Sequence, residues 1–140
     1  MLKTESLNLL ALDVGDVRVG VALATYPVYL PQALITIKND SKFFENLSSL
    51  VKQHNISRLV IGLPRNMDSK DTAQTLKVKD FANQIKSRLQ LEVDYEDEFL
   101  TSQKAEEILR EQSKNYLKED VDKLAAAIIL EDYLKGNLIV

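Results

Sequence analysis

Cysteine is absent from the 140-residue chain, which excludes disulfides, thiolate zinc sites and a cysteine nucleophile. Histidine occurs once, as His54 in a polar stretch of helical pattern, and reads as a lone surface residue. Neither a catalytic triad nor a histidine-bound metal can be built from it. No run of about 18 apolar residues is present, so no transmembrane helix is expected. The apolar run near the N-terminus is interrupted by Asp13 and reads as a strand, not a signal peptide. A net positive charge is also lacking: the formal net charge is -3, whereas a generic nucleic-acid binder is basic. Chemistry performed by this chain must therefore come from carboxylates, hydroxyls, lysines or an ion held by oxygen ligands.

What is present is a core-forming composition, 45% hydrophobic, in a length that fits one domain over residues 1–140. Charge is uneven. Between Arg65 and Arg88 six basic residues stand against three acidic ones, so a local basic face is expected, with Lys70, Lys77 and Lys79 available for phosphate. Leu7 to Val14 reads as a buried strand, and Val17 to Ala24 as its hairpin partner after a turn at Gly15-Asp16. Ala33 to Lys38 is a third strand. Asn39, Asp40 and Ser41 are candidate caps for a helix to about Asn55. Arg58 to Leu63 is a short buried strand, followed by a polar loop and a helix from about Asp71 to Arg88. Leu91 to Tyr95 alternates as a central strand and runs into Glu96-Asp97-Glu98. Thr101 or Ser102 can cap a helix to about Gln112, and a last helix runs from near Asp120 to Gly136. The order β-β-β-α-β-α-β-α-α describes an α/β domain with a mixed sheet.

Three acids stand where elements begin or end. Asp13 closes a strand of leucines, where an acid is costly unless solvated, paired or metal-bound; turn chemistry before Gly15 is the plainer explanation. Glu98 ends a run of three acids, which a bound cation would relieve, although a solvated loop before a helix would also tolerate it. Asp122 opens the last helix and could be a cap, but Asp120 already offers one, and Ala125 and Ala126 leave room for close packing on that face. Sites in α/β sheets lie at strand carboxyl ends, and Asp13 and Glu98 converge there if their strands are neighbours. Three carboxylates without histidine or cysteine suit Mg²⁺ or Mn²⁺. Two such ions can drive phosphodiester hydrolysis without a protein nucleophile. The residues alone do not decide whether Asp97 or Glu98 faces the ion.

Four segments, D-V-G-D-V-R-V-G-V-A at Asp13–Ala22, G-L-P-R-N-M-D at Gly62–Asp68, D-E-F-L-T-S at Asp97–Ser102 and D-K-L-A-A-A-I-I-L at Asp122–Leu130, resemble the bacterial YqgF family over essentially the whole chain. These are Holliday-junction-resolvase-like proteins regarded as nucleases that process the 5′ end of pre-16S ribosomal RNA. The resemblance implies a ribonuclease-H-like fold with a mixed five-stranded sheet flanked by helices. It also implies dependence on a divalent metal, a cytoplasmic location and a structured nucleic-acid substrate. Carried over by position, Asp13, Glu98 and Asp122 correspond to the acidic triad, and Arg18 to an arginine for phosphate contact or for balancing the carboxylates. Asn66 corresponds to a residue of the loop beside the site and a candidate for hydrogen bonding to the nucleic acid or to the acids, while Thr101 would cap its helix and touch phosphate.

The chain departs from the family pattern at Phe99, where an arginine is usual, at Ser69, where a glycine is usual, and at Thr25, where an aspartate is frequent. These changes bear on substrate affinity and leave the triad intact. They also keep open a binding module for RNA or the ribosome whose catalysis has decayed. An actin-like ATPase would need a second domain to clamp its nucleotide. The expected partner is structured nucleic acid, pre-16S rRNA or branched DNA, with no membrane, the protein acting as monomer or homodimer.

Overall fold

The computed structural model describes residues 7–66, 68–112 and 115–137. Its elements run β1 (Leu9–Val14), β2 (Arg18–Ala24), β3 (Gln32–Lys38), α1 (Phe43–Gln53), β4 (Arg58–Pro64), α2 (Ala73–Leu89), β5 (Glu92–Glu98), α3 (Thr101–Gln112) and α4 (Lys118–Asn137), the order expected from the sequence. The strands form one mixed sheet in the order β3-β2-β1-β4-β5. β1 pairs antiparallel with β2 and parallel with β4, which pairs parallel with β5.

Strand alternation divides the core. Leu10 and Leu12 of β1, Val19, Val21 and Leu23 of β2, and Leu59, Ile61 and Leu63 of β4 pack on the side of α1 and α2. There they meet Phe43 and Leu47 of α1 and Val78, Ala82 and Ile85 of α2, spaced as one helical face. The opposite face of the sheet is small: Ala11, Gly20, Ala22 and Ala24 point that way, beside Leu9 and Val60. α4 answers with Ala126, Ala127, Ile129, Leu130 and Tyr133. Small residues on both surfaces let the helix axis come close to the sheet. α3 covers the outer side of α4 through Ala105, Val121 and Ala125, so α4 is buried on more than one face.

Several local details differ from the sequence reading. β5 is an edge strand, not a central one, and it continues through the acidic cluster to Glu98. Its charged side chains blunt an edge that would otherwise invite pairing. α2 begins at Ala73 behind Thr72, whose hydroxyl accepts from the Thr75 amide at 3.2 Å while the Thr75 hydroxyl accepts from the Thr72 amide at 2.9 Å. This reciprocal arrangement satisfies two free donors at once. Asp120 is not the cap of α4. It lies inside a helix starting at Lys118 and reaches back to accept from the Leu117 amide at 2.9 Å. His54 sits at the C-terminal end of α1.

Candidate active site

Asp13 lies one residue beyond Leu12, the last residue of β1 in register with β4, and is opposite Gly20 of β2. Alternation from Leu9 and Ala11 turns it toward α4. Glu98 ends β5 on the same face as Asp94, which accepts a hydrogen bond from Tyr133 of α4. Asp122 sits near the start of α4. Its place there is fixed by Gly20: a Cβ on that glycine would lie 1.9 Å from the Asp122 carbonyl oxygen. The helix backbone therefore rests directly on β2, a close approach that only glycine allows.

The strands of Asp13 and Glu98 are not neighbours, because β4 runs between them. Strands two apart are separated by about 10 Å, yet the two carboxyl groups share a hydrogen bond. Gly62 of β4 makes this reach feasible. A Cβ there would stand 3.0 Å from Glu98 Oε2 and 2.6 Å from Ile129 Cδ1, so the missing side chain is the space through which Glu98 extends. In the sequence Gly62 reads as part of the strand Arg58 to Leu63 and of the G-L-P-R-N-M-D motif, with no role of its own. Its signal was a glycine inside an otherwise apolar strand, which marks a close approach. Gly62→Ala is expected to cost about 1–2 kcal/mol in urea denaturation, since the flexible Ile129 side chain can yield while Glu98 is displaced. Unchanged stability would mean that Glu98 is not confined there.

Two acids in hydrogen-bond contact disfavour each other's ionisation. Burial, then the charges of Glu98 and Asp122, push the Asp13 carboxyl well above the usual carboxylate range. Burial also raises Glu98, against the hydrogen bonds from Thr101 and Asp13. The Thr101 hydroxyl donates to Glu98 Oε2 at 2.9 Å. Thr101 therefore orients a carboxylate instead of capping α3, and at 5% exposure it is not offered to a phosphate. Asp122 is turned onto Arg18, whose Nε donates to Oδ2 at 2.5 Å. Asp97 faces solvent and pairs with Arg65 at 2.9 Å, which resolves the choice between Asp97 and Glu98 in favour of Glu98 as the inward acid.

The remaining expected site residues line the surroundings. The Asn66 side-chain oxygen accepts from the amides of Asp68 and Lys70, both at 3.0 Å, and so organises the loop after β4. Lys70 is exposed in that loop, Lys77 is exposed on α2, and Lys79 is engaged with Asp71 at 3.0 Å. Phe99 is partly exposed directly after Glu98.

As they stand, no three acidic or histidine side chains among the described residues surround one point in the manner of metal ligands. The donor chemistry nevertheless fits a hard divalent cation. Asp13 and Glu98 offer neighbouring oxygens whose mutual repulsion a cation would relieve, and the charge of Asp122 acts on Asp13 as well.

Residues 7–136 match the profile of a family described as "RuvX: Holliday junction resolvase". The chain belongs to the RuvX family. This bears out the resemblance carried by the four sequence motifs. Among curated RuvX relatives, a protein of Streptococcus equi subsp. zooepidemicus is 38% identical over 138 residues, spanning 94% of this chain and 99% of that protein. One from Crocosphaera subtropica is 41% identical over 134 residues, spanning 93% and 94%. Both carry the description "Putative pre-16S rRNA nuclease". In three dimensions the chain is similar to Thermus thermophilus RuvC solved in complex with a Holliday junction substrate. The TM-score is 0.59 at 10% identity, covering 93% of this chain and 96% of that one. At that identity the likeness concerns the fold, which is ribonuclease-H-like in both.

Proposed function

We propose that the chain, as one nuclease domain spanning residues 1–140, hydrolyses phosphodiester bonds in structured nucleic acid with the help of Mg²⁺ or Mn²⁺. The observation that carries this reading is the partly buried Asp13–Glu98 pair with Asp122 beside it, at the carboxyl ends of β1 and β5. Asp13, Glu98 and Asp122 would hold the cation. Bound there, a divalent ion supplies an activated water and stabilises the leaving oxygen. Thr101 orients Glu98, Gly20 and Gly62 keep the acids within reach of one another, and Arg18 together with exposed Lys70 and Lys77 contacts the phosphate backbone. Relatives described as nucleases of pre-16S rRNA support that RNA as substrate, and the RuvC fold supports branched DNA. No helix among the described residues is long and apolar enough to cross a membrane, and a cytoplasmic place of action fits a nuclease of rRNA.

The test is a pair of measurements. Converging acids that bind Mn²⁺ should raise the melting temperature progressively as Mn²⁺ is added, by about 2.7 kcal/mol of stability at a hundredfold excess over the Kd. Cleavage of precursor 16S rRNA and of four-way DNA should appear with Mn²⁺ or Mg²⁺ and vanish with chelator. A protein that binds these nucleic acids but neither responds to Mn²⁺ nor cleaves would be a binding module, and the nuclease reading would fall.

A further inference from the structure

We propose that Arg18 is an exchangeable counter-ion: it holds Asp122 while no divalent cation is bound, and it is released toward a backbone phosphate when a cation takes that carboxylate. The inference rests on the metal-site reading above and adds to it the order in which the charges change partners.

The geometry carries the argument. Arg18 Nε and Asp122 Oδ2 are 2.5 Å apart, so this charge-assisted bond occupies the oxygen. Both side chains remain open to water, at 29% and 21% exposure, and an ion pair so placed is weakly held. Asp13 stands opposite Gly20 in β2, and Gly20 rests on the Asp122 backbone, so Asp122 starts beside the Asp13–Glu98 pair and its charge acts on Asp13. A divalent ion drawn to that pair would bring two positive charges close to the guanidinium, and like charges at contact range repel. One of the two cations has to yield Asp122. The guanidinium is the one that can leave. Gly20 pins the Asp122 backbone against β2, so the acid cannot retreat with its helix, whereas Arg18 sits on a side chain beside open space.

That space is a cleft of ≈ 580 Å³ bordered by Arg18, Lys38, Asn39, Thr36 and the acids Asp16, Asp40 and Glu119. Lys38 provides a second cation facing the same opening. Glu119 attracts Arg18 as well, so the released side chain stays near the pocket mouth. Divalent ion and nucleic acid are then positively linked. Each one that binds makes the other's site more available, and linkage requires the effect to be mutual.

The experiment follows the Arg18 Nε–H proton by NMR in the full chain as Mg²⁺ is added, with calorimetry of Mg²⁺ binding to the wild type, Arg18→Gln and Asp13→Asn. In the metal-free protein the Nε–H signal should be shifted and protected from exchange with water. It should move to the position of a free arginine along the same saturation curve that calorimetry gives. Arg18→Gln should bind Mg²⁺ about 5-fold tighter and lose the mutual enhancement between Mg²⁺ and nucleic acid. An Arg18 signal that stays in place while Mg²⁺ saturates the wild type, or equal affinity in Arg18→Gln, overturns the exchange and leaves the metal site standing. Absent Mg²⁺ binding in the wild type, or undiminished binding in Asp13→Asn, overturns the metal site and the exchange together. If Arg18→Gln does not fold, the wild-type NMR titration decides alone.

Discussion

Asp13→Asn is expected to lower cleavage of precursor rRNA or four-way DNA by about 10³-fold or more, equivalent to roughly 4 kcal/mol of transition-state stabilisation. The same substitution is expected to make the metal-free protein more stable. Asp13 is pushed well above the usual carboxylate range, first by burial, then by the charges of Glu98 on β5 and Asp122 on α4. A carboxyl that holds its proton more tightly when folded makes stability fall as pH rises. Its contribution is fully present below the pKa of an unfolded aspartate, about 4. It is lost as pH climbs through the higher folded value. The neighbouring groups do not reverse this sign. Glu98 is itself raised by burial, and Arg18 spends its charge on Asp122. Asparagine carries no charge and can still donate to Glu98, so metal-free Asp13→Asn should exceed wild type by about 1–3 kcal/mol near neutral pH. Thermal melts across pH, with and without Mn²⁺, check this, and Mn²⁺ should restore the advantage to wild type. Equal nuclease activity in both proteins would end the assignment of Asp13. A wild type that is the more stable without metal would mean its acids are not held against their repulsion.

Gly20→Ala is expected to be the most damaging small substitution outside the acids. The new methyl would stand 1.9 Å from the Asp122 carbonyl oxygen and 2.3 Å from its carbon. These are backbone atoms of a helix fixed by Ala126, Ile129, Leu130 and Tyr133, so neither side can yield as a flexible side chain would. A cost of about 3 kcal/mol is expected, with a fall in melting temperature on the order of 10 °C. Any α4 that still docks would sit farther from the sheet, carrying Asp122 away from Asp13, and the response to Mn²⁺ should weaken accordingly. Gly136→Ala is the control, since no atom of the described residues lies within 4 Å of a Cβ there. It should be neutral or slightly stabilising in the same melts. Equal loss in both variants would mean that an added methyl group is harmful wherever it sits, and that the approach of α4 to β2 does not govern the effect.

The element order was legible because strands buried on both faces read as apolar runs, and α1 and α2 carry one-sided patterns. Asp13 was legible too, as an acid ending a leucine strand. Other features were decided by distant contacts. Thr101 reads locally as a cap, yet its hydroxyl goes to Glu98, because an acid three residues back turns inward beside it. Asp120 reads as a cap and proves to reach backward from inside the helix. Asp97 and Glu98 were interchangeable by sequence. Pairing of β5 with β4 fixed which one points toward α4, since a shift of one residue exchanges the faces of a strand. The position of β5 at the edge was likewise unreadable, as alternating charge and apolar residues fit either place.

By itself the sequence determined which chemistry was open to this chain. Lacking cysteine and having a single histidine, it left carboxylates, hydroxyls, lysines or an ion held by oxygen ligands to act, and its four motifs pointed to the family. Only the tertiary structure decided how acids on β1 and β5 meet across an intervening strand. The reason is steric: Gly62 and Gly20 matter for the atoms they lack, and the space left by a missing side chain acquires meaning only when another part of the chain fills it.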